Sequence, residues 1–323
     1  MKNIKKYIKI ILQSLVSVIA FYYLFNKFNI DLISTLRNNN IWFILLACAI
    51  RIFISPLIYV NRWKLFLENI GVQENFWSLL KISMMSSFFG LVLPSSQGAD
   101  AVRMYLIEQR HPEIREQKKA ASSTILIERM IGFILLALLS LIFSLLLEYP
   151  NKKEVTTLIF VINCSLWLIV FILTNKQCYT LFSRYAYKIN KFHKVVFFID
   201  KIYCSLTTFP YRKVLFSSII LIMLFQLCTV LIVYLVFLSF GVTLQMSQHL
   251  AFYPIISILS IIPITISGLG LREGFFVSFY SLLGVEPSIA VSVSLINYLI
   301  ETIMFALFGG VVYALKSLRL INI

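Results

Sequence analysis

Uninterrupted apolar runs of about 20 residues recur along this chain, and each is long enough to cross the hydrocarbon core of a bilayer. Hydrophobic residues make up 59% of the 323 residues, and charged residues make up only 13%. A soluble domain with this balance would lack the polar surface that covers a core. The sequence therefore predicts an all-α polytopic membrane protein, and the gaps between the runs are too short for a separate soluble domain.

Six of the runs have the length of full transmembrane helices. They lie at residues 7–26, 41–60, 122–147, 155–174, 214–240 and 287–314. The first run is too long for the apolar region of a secretory signal and lacks a cleavage site of small residues. We therefore interpret it as a retained span.

The basic residues orient these spans. With the N-terminus in the cytoplasm, twenty Lys and Arg residues fall in cytoplasmic stretches and five fall outside. Cytoplasmic loops are enriched in Lys and Arg, so both termini are expected to be cytoplasmic. The stretch 175–213 alternates cations with aromatic residues, which is typical of an amphipathic helix on an anionic leaflet, although a simple topology anchor is an equal alternative. The net charge of +15 is thus assigned to topology and lipid phosphate, and no nucleic-acid partner is expected.

Two further apolar segments cannot make a single crossing. Residues 76–93 have basic flanks on both sides, and residues 251–266 must return to the outside before the last span begins. We predict two re-entrant helical hairpins, at 76–107 and 251–284. They enter from opposite faces, which favours an inverted repeat with a site near the midplane. The alternative is that both segments are kinks in ordinary spans.

The hairpin tips share a polar, helix-breaking sequence. The first tip contains P-S-S-Q-G-A-D-A-V-R at 94–103, and the second contains I-I-P-I-T-I-S-G-L-G-L-R-E at 261–273. Non-helical backbone at membrane depth needs polar partners, so the tips predict a polar cavity. At each tip the N-terminus of a new helix and an arginine, Arg103 or Arg272, favour a bound anion. Asp100 is expected to cap its helix or to orient Arg103.

Other polar residues complete the site that is predicted from the sequence. The predicted anion site is lined by Ser95, Ser96 and Gln97 at the first tip, and by Ser267 and Gly268 at the second. A purely structural role for these tips is the alternative. Arg51 and Glu301 lie about equally deep in their spans, so an ion pair between them is plausible, for function or for assembly alone. Arg129 is close enough to the cytoplasmic side to extend its guanidinium to the surface.

No pattern in the chain indicates metal or nucleotide chemistry. The three histidines are scattered in loops, and the five cysteines lack the spacing of metal ligands. The stretch G-L-G-L-R-E neither follows a strand nor completes a dinucleotide fingerprint. We therefore expect no metal, no cofactor and no enzymatic activity.

An ordered set of motifs resembles a known family. The motifs are P-S-S-Q-G-A-D-A-V-R at 94–103, the basic loop, L-I-E-R-M-I-G-F at 126–133 and I-S-G-L-G-L-R-E-G at 266–274. Together they resemble the lysylphosphatidylglycerol synthase transmembrane, or flippase-like, family over essentially the whole chain. Members usually read G-G-D where this chain reads Gly98-Ala99-Asp100, a departure that keeps Asp100 and Arg103 in place.

The resemblance implies translocation of a lipid. The best-known members join this membrane unit to a C-terminal soluble domain that synthesises an aminoacylated phospholipid, and this chain is expected to lack that synthesis. The resemblance leaves three candidates for the lipid: an aminoacyl phospholipid, another phospholipid or a polyprenyl-phosphate carrier. The partners that it implies are glycosyltransferase or lipid-synthesis proteins. The motif residues that the resemblance implies for substrate binding are Gly98, Asp100, Arg103, Glu128, Arg129, Gly268, Gly270, Arg272 and Glu273.

These inferences predict a protein that flips an anionic phosphate-headgroup lipid through a cationic midplane cavity containing Arg103 and Arg272. The Lys-, Asn- and Ile-rich composition suggests the cytoplasmic (inner) membrane of a bacterium. One alternative is a membrane-embedded lipid-phosphate transferase with Asp100, Glu273 or Glu301 as its base. A second is a non-catalytic scaffold of a glycan- or lipid-synthesis complex, and a homo-oligomer also stays open.

Overall fold

The described part of the chain is helical. A computed structural model describes residues 22, 26, 40–92, 98–112, 121–186, 200, 203, 214–262, 264–265 and 268–318, and these residues contain no strand. The α-helices of these ranges are α1 (Ile41–Glu68), α2 (Phe76–Val92), α3 (Gly98–Arg110), α4 (Ala121–Leu146), α5 (Lys152–Thr174), α6 (Lys176–Ala186), α7 (Leu215–Ser239), α8 (Met246–Leu259), α9 (Leu271–Tyr280) and α10 (Pro287–Ser317).

Five helices of the described ranges are long and apolar enough to cross a bilayer. They are α1, α7, α10 and the segments Thr124–Leu146 of α4 and Lys152–Leu173 of α5. These helices occupy five of the six predicted spans, which supports a helical integral membrane protein. The predicted span at 7–26 lies, apart from two residues, outside the described residues. Helix α1 continues beyond residue 60, the predicted end of the span, to Glu68, and Arg62 in this extension is buried.

Each predicted hairpin contains two described helices, and the residues between the first two, 93–97, lie outside the described residues. Helix α2 has 17 residues and α8 has 14, which gives lengths of about 26 Å and 21 Å at 1.5 Å per residue. Both are shorter than the hydrocarbon core of about 30 Å. The helices of each pair, α2 with α3 and α8 with α9, pack against one another. That each pair returns to the side from which it entered stays a prediction.

Glycines allow close packing around the first break. A Cβ added to Gly90 in α2 would lie 2.8 Å from the Cβ of Ala99 in α3. The C-terminal half of α10 packs against α2 through Gly309, where a Cβ would lie 1.8 Å from the backbone oxygen of Met84. The two half-helices and α10 thus form one tightly packed unit.

The second break also depends on glycine. Gly268 and Gly270 have φ angles of +77° and +82°, in the region that side chains disfavour. A Cβ on Gly268 would lie 2.9 Å from the backbone oxygen of Ser260 at the end of α8. The chain therefore turns sharply against α8 before α9 begins at Leu271.

Buried apolar side chains form two clusters. The larger one joins α7, α8, α9 and the N-terminal half of α10 to parts of α1, α4 and α5. The smaller one joins the C-terminal half of α1 to α2, α3 and the start of α4, and includes Trp63, Phe66, Leu79 and Ile107. The polar sites described next lie beside these clusters.

Candidate functional site

A cavity of about 260 Å³ lies between the two helix breaks. Its walls are the end of α2, the start of α3, the end of α8, the start of α9 and the middle of α10. The lining residues are Ser87, Gly90, Leu91, Ala99, Ser260, Ile261, Arg272, Tyr298, Glu301 and Thr302. The structure thus brings the helix ends that flank both predicted breaks to one cavity. The tip residues Ser95, Ser96, Gln97 and Ser267 lie outside the described residues.

Arg272 is the arginine of the cavity wall. Its Nε donates a hydrogen bond to the Ser294 hydroxyl at 3.0 Å, and its guanidinium forms an ion pair with Glu273. The guanidinium carbon lies 4.4 Å from the centre of the Tyr298 ring. The side chain is 12% exposed, so these contacts hold the cation at the cavity and leave part of it accessible.

Glu273 is fully buried and positions Arg272. One carboxylate oxygen accepts a hydrogen bond from the backbone N–H of Gly270 at 2.6 Å, which caps α9. The other accepts a hydrogen bond from the Ser294 hydroxyl at 3.0 Å. Because a side chain at Gly270 would strain the turn, the glycine, the carboxylate and the arginine form one local structure at the start of α9.

Arg51 and Glu301 form the ion pair that the sequence left open. Both lie in π-helical turns, Ile50–Ile54 in α1 and Leu299–Met304 in α10, which widen a helix and disturb its regular hydrogen bonds. Arg51 donates to the backbone oxygen of Glu301 from Nε at 3.0 Å and from Nη2 at 2.8 Å. Its Nε is also 3.4 Å from the Glu301 carboxylate. The Glu301 Oε1 atom is buried and has no hydrogen-bond partner among the described residues.

A second polar cluster, the arginine cluster, joins α1, α3 and α4. It consists of Arg62, Asp100, Arg103, Glu128 and Arg129. Glu128 pairs with Arg62 and lies 3.4 Å from Arg103. Asp100 lies 3.5 Å from Arg103 and 2.8 Å from Arg129. Three arginines against two carboxylates leave this cluster with a net charge of +1.

Arg103 lies in the arginine cluster and is absent from the lining of the cavity. It is only 1% exposed. Its guanidinium lies 5.1 Å from the centre of the Tyr59 ring and 4.7 Å from that of Trp63, and it donates to the Tyr59 hydroxyl. The predicted contact between Asp100 and Arg103 is present. Direct binding of a phosphate by Arg103 stays a prediction, and its burial favours a role in positioning α3.

Arg129 is the most exposed arginine of the cluster. Its Nε donates to Asp100 at 2.9 Å, and 42% of the side chain is exposed. The sequence predicted that it would extend to the surface. The structure adds that Arg129 holds the first turn of α3 through Asp100.

Arg62 is a residue of this cluster that was not predicted from the sequence, where it counts only as a cytoplasmic charge. Arg62 is buried and contacts Glu128 and the rings of Tyr59 and Phe225. It lies on the same face of α1 as Trp63 and Phe66. A cation within an apolar helical stripe was the pattern that could have identified it.

The structural features agree with the family comparison. The family described as the lysylphosphatidylglycerol synthase TM region matches residues 10–309 of this chain. No group of three or more His, Cys, Asp or Glu side chains in the described part of the protein could hold a metal ion.

Similar membrane proteins occur in archaea. A UPF0104 membrane protein of Methanocaldococcus jannaschii is 24% identical, with 86% of each chain covered. One from Methanothermobacter thermautotrophicus is 23% identical, with 86% of this chain and 85% of that protein covered. One from Pyrococcus horikoshii is 24% identical, with 98% of each covered. These relatives are archaeal, and the bacterial source expected from composition stays a prediction. With its family match over residues 10–309, this membrane protein belongs to the lysylphosphatidylglycerol synthase transmembrane-region family.

Proposed function

We propose that this protein moves a phosphate-headgroup lipid from one leaflet of the membrane to the other, without chemical conversion. The observation that carries the proposal is the polar cavity between two helix breaks. A charged headgroup is costly to place in hydrocarbon. Its passage therefore requires polar side chains at membrane depth, and the cavity offers an arginine, hydroxyl groups and a glutamate. The lipid tails would remain in the bilayer.

Arg272 is the proposed phosphate-binding residue. A guanidinium matches a phosphate with two parallel hydrogen bonds. The guanidinium of Arg272 already contacts Glu273 and Ser294. A bound phosphate would therefore compete with these two partners for the arginine. Such competition favours binding that is weak enough for release on the other side.

The finer parts of the proposal follow from the sequence. The lipid is a phospholipid or a polyprenyl-phosphate carrier, and the protein lies in the cytoplasmic membrane with both termini in the cytoplasm. Glu273 and Gly270 shape the start of α9 around Arg272. The arginine cluster holds α3, and Gly98 begins that helix beside the cavity.

Replacing Arg272 should slow lipid movement, compared among variants that are shown to be folded in detergent, because the change also leaves the buried Glu273 without its ion-pair partner. Fluorescent phospholipid and polyprenyl-phosphate analogues would be followed across proteoliposome membranes by the loss of fluorescence on quenching from outside. Arg272→Gln should slow movement about tenfold or more, since hydrogen bonds to a charged group contribute roughly 1.5–3 kcal/mol. Arg272→Lys keeps the positive charge but loses the paired donors of the guanidinium. Its rate of lipid movement should lie between those of Arg272→Gln and the wild type.

Lys153→Gln supplies the matched control, because this exposed lysine lies at the start of α5 and away from the cavity. It should leave the rate unchanged. A wild-type protein that moves none of the lipids would contradict the proposal. In that case, a lipid product lost on Asp100→Asn would favour a transferase. Full function in Arg103→Gln and Arg272→Gln would favour a scaffold.

A further inference from the structure

A second cavity, of about 420 Å³, forms an open groove on the outside of the helix bundle. It lies between α2, α3 and the end of α10, and is called here the α3–α10 groove. Its lining consists of Met85, Phe89, Val102, Tyr105, Leu106, Tyr313 and Lys316. All but the lysine are apolar or aromatic. The volume is within the range of small-molecule pockets, about 300–1,000 Å³.

The α3–α10 groove lies beside the polar cavity, because Phe89 of the groove is followed in α2 by Gly90 and Leu91 of the cavity. On α10, the cavity is lined by Thr302 and the groove by Lys316, which are separated by about 21 Å along a helix. Half of the hydrocarbon core is about 15 Å thick. If the cavity lies near the midplane, Lys316 reaches the headgroup level on the side of the C-terminus.

Lys316 is the single cation of the groove lining. In the ranges that the structure describes, it forms no ion pair. The rest of the groove presents exposed apolar surface, including Tyr105, which is 60% exposed, and Tyr313, whose ring packs edge-on against Phe89 at 4.9 Å. A charge at one end of an apolar channel is complementary to an amphipathic molecule with an anionic head and an alkyl tail.

We propose that the α3–α10 groove binds one anionic membrane phospholipid, with its phosphate at Lys316 and an acyl chain along Tyr105, Phe89 and Val102. This is the orientation of a lipid in the leaflet on the C-terminal side. The groove and the cavity share α2, α3 and α10, so a lipid bound here is held beside the polar cavity. The role of the groove as a loading site rests on the proposed function, whereas the binding itself does not.

The test uses the full chain in proteoliposomes that contain phosphatidylglycerol or phosphatidylcholine with a photoreactive group on the same acyl chain. After illumination, labelled peptides are identified by mass spectrometry. We expect phosphatidylglycerol to label the segments around Tyr105 and Tyr313 more strongly than phosphatidylcholine does. Lys316→Gln should reduce this preference roughly fivefold, as expected for one basic residue at an anionic lipid surface. Lys153→Gln should leave it unchanged.

Val102→Trp tests the groove independently of charge. The larger ring should occupy the groove and reduce labelling by both lipids, in a protein whose melting temperature is close to that of the wild type. The proposal would be overturned if both lipids label the groove equally and neither variant changes the labelling, because that result indicates ordinary boundary lipid. A groove covered by a second copy of the chain, detected as cross-links between copies without lipid label, would also overturn it.

Labelling does not require lipid movement, so the two proposals fail separately. Groove labelling that depends on Lys316 supports the lipid site even in Arg272→Gln protein that moves no lipid. Absent movement in the wild type with normal groove labelling would count against the proposed function alone.

Discussion

Glu128→Gln should destabilise the protein by about 3–5 kcal/mol, the usual effect of removing one partner from a buried ion pair. Glu128 is buried and contacts both Arg62 and Arg103. Without its charge, the arginine cluster changes from +1 to +2 while the guanidinium groups stay away from water. The measurement is the shift in thermal unfolding of the purified protein in detergent.

Two further variants separate charge from packing. Glu68→Gln removes a carboxylate that lies 3.7 Å from Lys64 on an exposed helix surface, where an ion pair contributes less than about 1 kcal/mol. Adding Arg62→Gln to Glu128→Gln should recover part of the lost stability, because it returns the cluster to a net charge of +1. A loss for Glu128→Gln as small as that for Glu68→Gln would show that water or movement already screens the cluster.

The helices were predictable from the sequence because the residues within each segment determine whether that segment is helical. Apolar runs located the spans found in the described residues, and glycine located the turn near residue 268, whereas the break predicted at residue 94 falls outside the described residues. The π-helical turns were not predictable, since an extra residue in a helical turn leaves no mark on composition. They matter because one of them carries the Glu301 carbonyl that accepts from Arg51.

The polar partners were harder to predict than the polar residues. The cost of burying a charge indicates that Glu128 and Arg103 need partners. It does not indicate which partners, because the Arg62–Glu128 contact spans 66 positions and the Arg51–Glu301 contact spans 250. The tip pattern predicted equal roles for Arg103 and Arg272. Helix α3 instead turns Arg103 toward α1 and α4, whereas α9 leaves Arg272 at the cavity.

Gly309→Ala should have the second large effect on stability, about 2–3 kcal/mol, at the upper end of the usual cost of overpacking. The added Cβ would lie 1.8 Å from the Met84 oxygen and 2.4 Å from its carbonyl carbon. Both are backbone atoms of α2, so no side-chain rotation relieves the clash and the helices must separate. Since α2 and α10 line both the cavity and the α3–α10 groove, lipid movement should fall as well.

Other glycines give a graded series against which to judge that result. A Cβ at Gly132 meets no atom within 4 Å, and one at Gly310 meets only the Phe88 ring, at 2.9 Å. Gly132→Ala should be neutral or stabilise by up to about 1 kcal/mol through helix propensity. Gly310→Ala should cost less than Gly309→Ala, because an aromatic side chain can shift and a helix backbone cannot. Equal melting temperatures for the Gly309 and Gly132 variants would mean that α2 and α10 are not in this close contact. The cavity and the groove would then not share a wall formed by α2 and α10.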